Sequence, residues 1–195
     1  MSFWKKALNG FDNRMTAPPP EPKLPAPIRQ RDCSEDPKPH FRFYPHAYED
    51  GNFEESDAKC WLCGCPCGWR YVASIYSADK PEVVCARCLA DGTLGSGTHD
   101  TVASSKVVDK ELWFEAECCT PGISSFNPFS WPVVDGEPLA YLGHADQRDL
   151  EKRAEVKQAM AALAKEFDWP EVAPHYAMIF RSLDGKHWRA SMDLD

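Results

Sequence analysis

The sequence contains no hydrophobic run that approaches the roughly 20 apolar residues of a membrane-spanning helix. Its first residues, MSFWKKALNG, include lysines but lead into no apolar stretch or small-residue cleavage site typical of an export signal. We therefore expect a cytoplasmic protein without a transmembrane segment. In a reducing compartment, we expect the nine cysteines to be thiols or metal ligands in preference to disulfides.

Positive charge is also scarce. The 195 residues carry 22 Lys and Arg against 30 Asp and Glu, which gives a formal net charge of −8. Because nucleic-acid affinity depends on Lys and Arg that displace the counterions of phosphates, this balance argues against a nucleic-acid ligand. It is compatible with a basic protein partner, but solubility is the commoner reason for such a charge, and the sequence leaves both open.

The fingerprints of common catalytic sites are missing as well: the sequence has no GxSxG, no HExxH, no P-loop and no dinucleotide-binding glycine pattern. His144 and Asp146, in the segment GHAD, could act as a general base and its orienting group, which makes a hydrolase one alternative function. A simpler interpretation makes Asp146 the N-cap of a helix. We expect no catalytic residues and no enzymatic activity.

Proline, in contrast, is abundant near the amino terminus. Its density over residues 16–39 excludes helix and central strand and favours an extended or disordered chain. Upstream, apolar residues recur at helical steps: Trp4, Leu8, Phe11 and Met15. The sequence therefore predicts a short amphipathic helix at 1–15, a Pro-rich linker at 16–39 and a zinc-binding domain at 40–195. A disordered tail is the alternative for the first two segments.

The domain itself is predicted to be α+β, small, loop-rich and stapled by zinc. Aromatic and β-branched residues indicate strands from Phe41 and over 69–77, which would form a short antiparallel sheet. Apolar residues at three- and four-residue steps predict one long helix over 146–168. Near the carboxy terminus, Asp184 and Gly185 indicate the two-residue turn of a hairpin.

The strongest signal is a pair of CxxC motifs. Each motif places two thiolates on one tight turn, and two such turns supply the four sulfurs of a tetrahedral zinc site. The motifs are Cys60-Trp-Leu-Cys63 and Cys85-Ala-Arg-Cys88. Such a site has no open coordination position, so the sequence predicts one structural, non-catalytic zinc ion that contributes to folding.

The remaining cysteines leave alternatives open. One CxxC motif could be a redox pair, and Cys65 or Cys67 could replace a predicted ligand, although both are more simply bystanders. Cys118 and Cys119 are adjacent, so in a strand their side chains would diverge, and we expect buried structural thiols. Cys33 lies in the Pro-rich linker and is expected to be exposed.

The order of the motifs resembles that of the bacterial CbrC family. FRFYPHAYEDG, CWLCG, CARCLADG, TPG and AYLG follow one another, and the chain ends in YAMIFRSLDGKHWRASMDLD. The resemblance covers roughly residues 41–195. It implies a zinc site at the two CxxC motifs, and a bacterial protein associated with colicin tolerance or with immunity to toxins.

These observations lead to an expected function: a cytoplasmic immunity or tolerance protein that binds and neutralises a bacterial toxin, such as a nuclease effector. Because such toxins are often basic, an acidic inhibitor would associate rapidly with them. The alternatives are a zinc-stabilised protein–protein adaptor and a hydrolase with its site near His144. Acidic and aromatic residues are the expected partner contacts: Glu54, Glu55, Asp57, Trp131, Asp135 and Glu137.

Overall fold

The structure is a computed structural model. It describes residues 32–34, 36–76, 81–95, 101–102, 108–125, 129–146, 149, 152–166 and 176–192. The predicted amphipathic helix at 1–15 and most of the predicted linker at 16–39 lie outside these residues.

The described residues form an α+β fold with small antiparallel sheets and few helices, as the sequence predicts. The strands are β1 (Phe53–Lys59), β2 (Pro66–Tyr71), β3 (Val84–Cys85), β4 (Thr101–Val102), β5 (Phe129–Ser130), β6 (Val133–Val134), β7 (Glu137–Pro138), β8 (Ala140–Asp146), β9 (Tyr176–Arg181) and β10 (Trp188–Met192). The helices are α1 (Ala86–Ala90), α2 (Lys110–Cys118) and α3 (Ala154–Glu166). None of the helices in the described ranges is long and apolar enough to cross a membrane.

Two three-stranded antiparallel sheets organise the fold. The first has the order β1-β2-β3, and the second has the order β10-β9-β8. In the first sheet β2 is central: Phe53 of β1 pairs with Tyr71, and the two-residue strand β3 pairs with Arg70 and Tyr71 on the other side. Two short pairs, β4 with β5 and β6 with β7, lie in the connection between the sheets.

The second sheet is buried on both faces. Four consecutive residues of β9, Ala177 to Phe180, are each at most 1% exposed, and successive side chains of a strand point to opposite faces. Met178 and Phe180 join the main core, which also contains the residues around the first sheet. On the other face, Ala177 and Ile179 pack in a second cluster with one side of α3: Val156, Ala159, Met160 and Leu163.

Trp131 connects the two halves of the main core. It is 1% exposed, its indole Nε1–H donates to the carbonyl of Leu139 at 2.8 Å, and its ring meets Phe180 edge-on. The prediction that Trp131 contacts a partner is therefore wrong, because a binding surface needs an accessible side chain.

Three predicted elements differ from the observed ones. The segment from Phe41 to Gly51 forms turns rather than a strand, although Phe41 and Phe43 are buried. The predicted helix at 146–168 starts too early, because Asp146 is the last residue of β8, which pairs with β9. The carboxy-terminal hairpin is confirmed, but Arg181 pairs with Trp188, so its turn spans residues 182–187 rather than two residues.

Gly68 in β2 supplies a test of this arrangement. Its φ of +63° is one that L-residues with a side chain rarely adopt, and a Cβ at this position would overlap the side chain of Pro37. Gly51 has a similar φ of +79°, but no atom lies within 4 Å of the position of its Cβ.

We expect Gly68→Ala to destabilise the protein more than Gly51→Ala does. The Gly51 change adds only backbone strain, of about 1–2 kcal/mol, whereas the Gly68 change must also displace Pro37. Thermal unfolding of both variants measures the difference. Equal melting temperatures would show that Pro37 does not pack against β2.

Candidate metal centre

The two CxxC motifs meet in the interior of the first half of the fold. Cys60 and Cys63 lie in the turn after β1, Cys85 ends β3, and Cys88 lies in α1. The four sulfurs all lie within 4.8 Å of one another, and each of the four residues is at most 7% exposed. The structure thus brings together the four predicted ligands.

Backbone hydrogen bonds form the first turn. The N–H of Cys60 donates to the carbonyl of Cys65, and the N–H of Gly64 donates to the carbonyl of Cys60, both at 2.8 Å. These bonds close the connection between β1 and β2 tightly around the sulfurs.

The second turn is the start of a helix. Cys85 is the N-cap of α1, and its sulfur accepts from the N–H of Cys88 at 3.4 Å. The N–H of Cys85 in turn donates to the sulfur of Cys60 at 3.3 Å, which links the two turns directly. Backbone N–H groups directed at sulfur stabilise its thiolate form.

Hydrogen bonds among the buried thiols shift their pKa values in opposite directions. Hydrogen bonds from the thiols of Cys67, Cys85 and Cys88 lower the pKa of Cys60. The hydrogen bond between Cys85 and Cys60 raises the pKa of Cys85 to about 11, and a separate hydrogen bond to Cys60 raises the pKa of Cys88. The surrounding donors therefore favour the deprotonated form of Cys60 over those of Cys85 and Cys88.

The geometry fits a tetrahedral ion. With metal–sulfur bonds of about 2.3 Å, neighbouring sulfurs of a tetrahedron are about 3.8 Å apart. The sulfurs of Cys63 and Cys85 are 3.9 Å apart. Four sulfur ligands fill a tetrahedron, so an ion here would have no position for water or substrate, and the centre could stabilise the fold but not activate a nucleophile.

A buried arginine lies next to the sulfur cluster. Arg87, between Cys85 and Cys88, is 5% exposed, and its guanidinium donates to the carbonyls of Pro66 at 3.1 Å and of Cys33 at 3.4 Å. Four thiolates around a divalent ion leave a net charge of about −2 in the interior. The positive charge of Arg87 offsets part of it and ties the segment around Cys33 to the first turn.

Cys33 and Cys65 form a disulfide, with their Cα atoms 5.5 Å apart. The expectation that the cysteines are thiols or metal ligands is therefore wrong for this pair. Cys33 is exposed, as predicted, while Cys65 is 1% exposed. The bridge spans 32 residues, so sequence spacing offered no local signal for it. It fastens the amino-terminal edge of the described chain to the first CxxC turn.

The other cysteines lie in different environments. Cys67 is fully buried in β2, where a hydrogen bond to Cys60 raises the pKa of its thiol. In the sequence, only the spacing CxxCxCxC indicates that Cys67 lies close to the predicted ligands. Cys118 ends α2 and Cys119 follows as its C-cap, so they are not in a strand. Cys119 is buried, and burial raises its pKa to about 11, whereas Cys118 is half-buried.

His144 lies in β8 rather than in a loop. Its Nδ1 is 2.6 Å from the hydroxyl of Tyr141, a residue that is 2% exposed. Asp146 ends the same strand and does not start the helix α3. His144 thus contacts a buried tyrosine on its own strand.

The predicted partner contacts fall on two surfaces. Glu54, Glu55 and Asp57 lie on β1, where Glu54 forms an ion pair with Arg70. Asp135 and Glu137 are exposed at the turn between β6 and β7. There they line a groove of about 610 Å³ together with the start of α2: Val108, Asp109, Lys110 and Glu111.

Comparison with known proteins identifies relatives. A family model described as "Uncharacterised protein family (UPF0167)" matches residues 38–190. The curated UPF0167 protein PA1536 of Pseudomonas aeruginosa is 28% identical over 143 residues, which cover 70% of this chain and 79% of the relative. No solved structure matches.

These matches correct the resemblance drawn from the motifs. The prediction of a CbrC family is wrong, since both the family model and the curated relative carry the name UPF0167 and neither mentions colicin or toxins. Because the family model covers residues 38–190, which is more than half of the 195-residue chain, the chain belongs to the UPF0167 family.

Proposed function

We propose that this protein is a cytoplasmic, non-catalytic binding protein that is held in shape by one structural zinc ion and neutralises a basic protein, specifically a bacterial toxin domain. The observation that carries the proposal is the closed set of four buried sulfurs. A centre of this kind stabilises a surface for recognition and leaves no coordination position for chemistry.

Zinc is the proposed ion because of its preferences. It favours four thiolates in a tetrahedron and has no redox chemistry of its own, which suits a centre that only holds chain segments together. Binding of zinc would release the protons of the ligand thiols. The free energy of zinc binding would add to the free energy of folding.

The groove between α2 and the β6–β7 turn supports a basic partner. Its lining has the amine of Lys110 and four carboxylates, those of Asp109, Glu111, Asp135 and Glu137, and Arg42 is close enough to Asp109 and Glu137 to interact electrostatically with both. Val108 is 81% exposed beside them and offers an apolar contact. The N–H of Val108 donates to the carbonyl of Gly136 at 3.1 Å, which fixes the two walls relative to each other.

Charge is compatible with a nuclease toxin as the basic partner. Nuclease domains bind phosphates through Lys and Arg, so their active surfaces are positive. An inhibitor with a net charge of −8 would be steered toward such a surface and would compete with the nucleic acid for it.

The direct experiment is affinity purification of the tagged full chain from its native host, followed by mass spectrometry. We expect a basic toxin domain to be recovered in stoichiometric amount, and expression of the protein to protect cells against that domain. A stoichiometric partner without toxicity would instead indicate an adaptor. If the protein is recovered alone and protects against no toxin encoded beside it, the proposal is wrong.

The groove can be tested by removing charge without changing shape. We expect Asp135→Asn with Glu137→Gln to weaken binding of the recovered partner about tenfold at low salt, mainly through slower association. Asparagine suits position 135 because φ of Asp135 is +52°. The matched control is Glu55→Gln with Asp57→Asn, which removes the same charge from β1.

Surface plasmon resonance at two ionic strengths separates the outcomes, since screening should reduce the loss in the groove variant. Equal losses in both double variants would mean that only net charge matters. A loss confined to the β1 variant would place the partner on the other surface.

The zinc itself can be tested with Cys88→Ala. We expect this variant to lose the ion and its cooperative thermal transition, because structural zinc contributes about 10–16 kcal/mol in small zinc domains, as much as a whole domain's stability. Cys119→Ala, a buried thiol outside the cluster, should keep the ion and lose only about 1–2 kcal/mol. Elemental analysis and calorimetry are the measurements, and a folded, metal-free Cys88→Ala protein would contradict the proposal.

A further inference from the structure

The Cys33–Cys65 disulfide joins an exposed residue to a buried one. Cys33 is exposed at the amino-terminal edge of the described chain, whereas Cys65 is 1% exposed and lies two residues after the predicted ligand Cys63. A thiolate from solution therefore approaches the bond from the side of Cys33. Disulfides in reducing compartments are usually transient or redox-sensing, and exposed ones are reduced more easily than buried ones.

The backbone of Cys65 positions a ligand of the first CxxC turn. The N–H of Cys60 donates to the carbonyl of Cys65 at 2.8 Å, and Lys59 pairs with Pro66 across β1 and β2. The disulfide fixes Cys65 from its other side, through the side chain. Any movement of Cys65 therefore also affects the position of Cys60.

Arg87 extends the influence of the bond to the second turn. Its guanidinium is buried between the two CxxC turns and donates to the carbonyls of Pro66 at 3.1 Å and of Cys33 at 3.4 Å. Arg87 itself lies between the ligands Cys85 and Cys88. The segment held by the disulfide is thus in contact with both halves of the sulfur cluster.

The chain that follows Cys33 has anchors of its own. The amine of Lys38 lies over the rings of Tyr48 and Trp69, at 4.8 and 4.5 Å from their centroids. The hydroxyl of Tyr48 donates to the carbonyl of Pro39 at 2.9 Å. Cleavage of the disulfide would therefore loosen the chain before Lys38 and the turn around Cys65, while the chain from Lys38 onward keeps its contacts.

The loop that the disulfide closes contains half of the proposed metal centre. The bridge spans 32 residues, and Cys60 and Cys63 lie between its two ends. A bridge of this kind limits the conformations open to the chain before the ion binds, so the two ligands lose less freedom when they bind it. Metal affinity should therefore be higher with the bond than without it.

We propose that the Cys33–Cys65 disulfide is a reversible redox switch of the metal centre: a dithiol reductant cleaves it, and the reduced chain holds the metal more weakly. Neither the family description nor the four-sulfur geometry assigns the bond a role. The inference rests on the proposed metal centre and on the proposed cytoplasmic location.

The reduction is an ordinary thiol–disulfide exchange. One thiolate of the reductant attacks the Cys33 sulfur, the S–S bond breaks, and its electron pair goes to the Cys65 sulfur, which takes up a proton. The second thiol of the reductant then attacks the mixed disulfide and displaces the Cys33 sulfur, which also takes up a proton. The protein disulfide is reduced to two thiols, the dithiol is oxidised to its own disulfide, and the reverse exchange restores the bond.

The test compares the full wild-type chain, purified without reductant, with the same chain after reduction and with Cys33→Ser. Labelling of thiols in denaturant with a chelator reports the state of the bond: of the nine cysteines, seven should react before reduction and all nine after it. Zinc affinity is measured by competition with a chelator. A phosphine reduces the bond for that measurement, because dithiols bind zinc themselves, and a dithiol is used separately to show that the folded chain can be reduced.

We expect reduction and Cys33→Ser each to lower the zinc affinity about tenfold, as when a group that orients metal ligands is removed. The phosphine should not change the zinc affinity of Cys33→Ser, which has no bond to reduce. The matched control is Cys118→Ser, which removes a half-buried thiol outside both the disulfide and the sulfur cluster. It should keep the wild-type affinity and the wild-type response to reduction.

Zinc affinities of the oxidised and reduced chains that agree within about twofold would overturn the switch while leaving the metal centre in place. So would nine reactive thiols before reduction, or a bond in the folded chain that excess dithiol does not reduce. A wild-type chain that binds no zinc in either state would overturn the metal centre as well, so the two failures are distinguishable.

Discussion

The convergence of buried sulfurs from two distant turns is the constraint on which the rest of the structure depends. Thiols in the protein interior gain little from one another, and deprotonating them without a cation would bury uncompensated charge. Around the second turn the regular elements are short: β3 has two residues, and α1 has five. A divalent ion would supply the missing attraction and join the β1–β2 connection to α1.

Other interactions extend this arrangement outward. The Cys33–Cys65 disulfide and Arg87 fasten the amino-terminal edge of the described chain to the first turn. Phe43 connects the same half to the second sheet, because its carbonyl accepts from the N–H of Tyr141 at 2.8 Å. The second sheet, with core on both faces, therefore rests on the sulfur-containing half on one side and on α3 on the other. This explains how a chain rich in loops presents the β6–β7 turn and the start of α2 as a fixed groove.

What the sequence predicted well was local. The two CxxC motifs, the amphipathic stripe of α3 and the carboxy-terminal hairpin each depend on residues close together in the chain, so their spacing carries the information. What it missed depends on distant contacts. Because Phe41 is aromatic, the sequence predicts a strand there, but turns bury its side chain equally well. Asp146 is a typical helix N-cap residue, but it belongs to β8 because β9 supplies its strand partner. Trp131 looks like an interface residue until its carbonyl partner Leu139 is known. The motif order led to the wrong family, and comparison with relatives corrected it.

If a metal ion holds the sulfur centre together, it orders one half of the molecule, and hydrogen exchange of the wild-type chain with and without a chelator tests this most directly. Chelation should remove a single ion per chain and abolish amide protection throughout β1, β2, β3 and α1, since their mutual packing depends on the sulfur centre. Protection in these four elements that persists after the ion has been removed, or a purified chain that never contained an ion, would contradict the account.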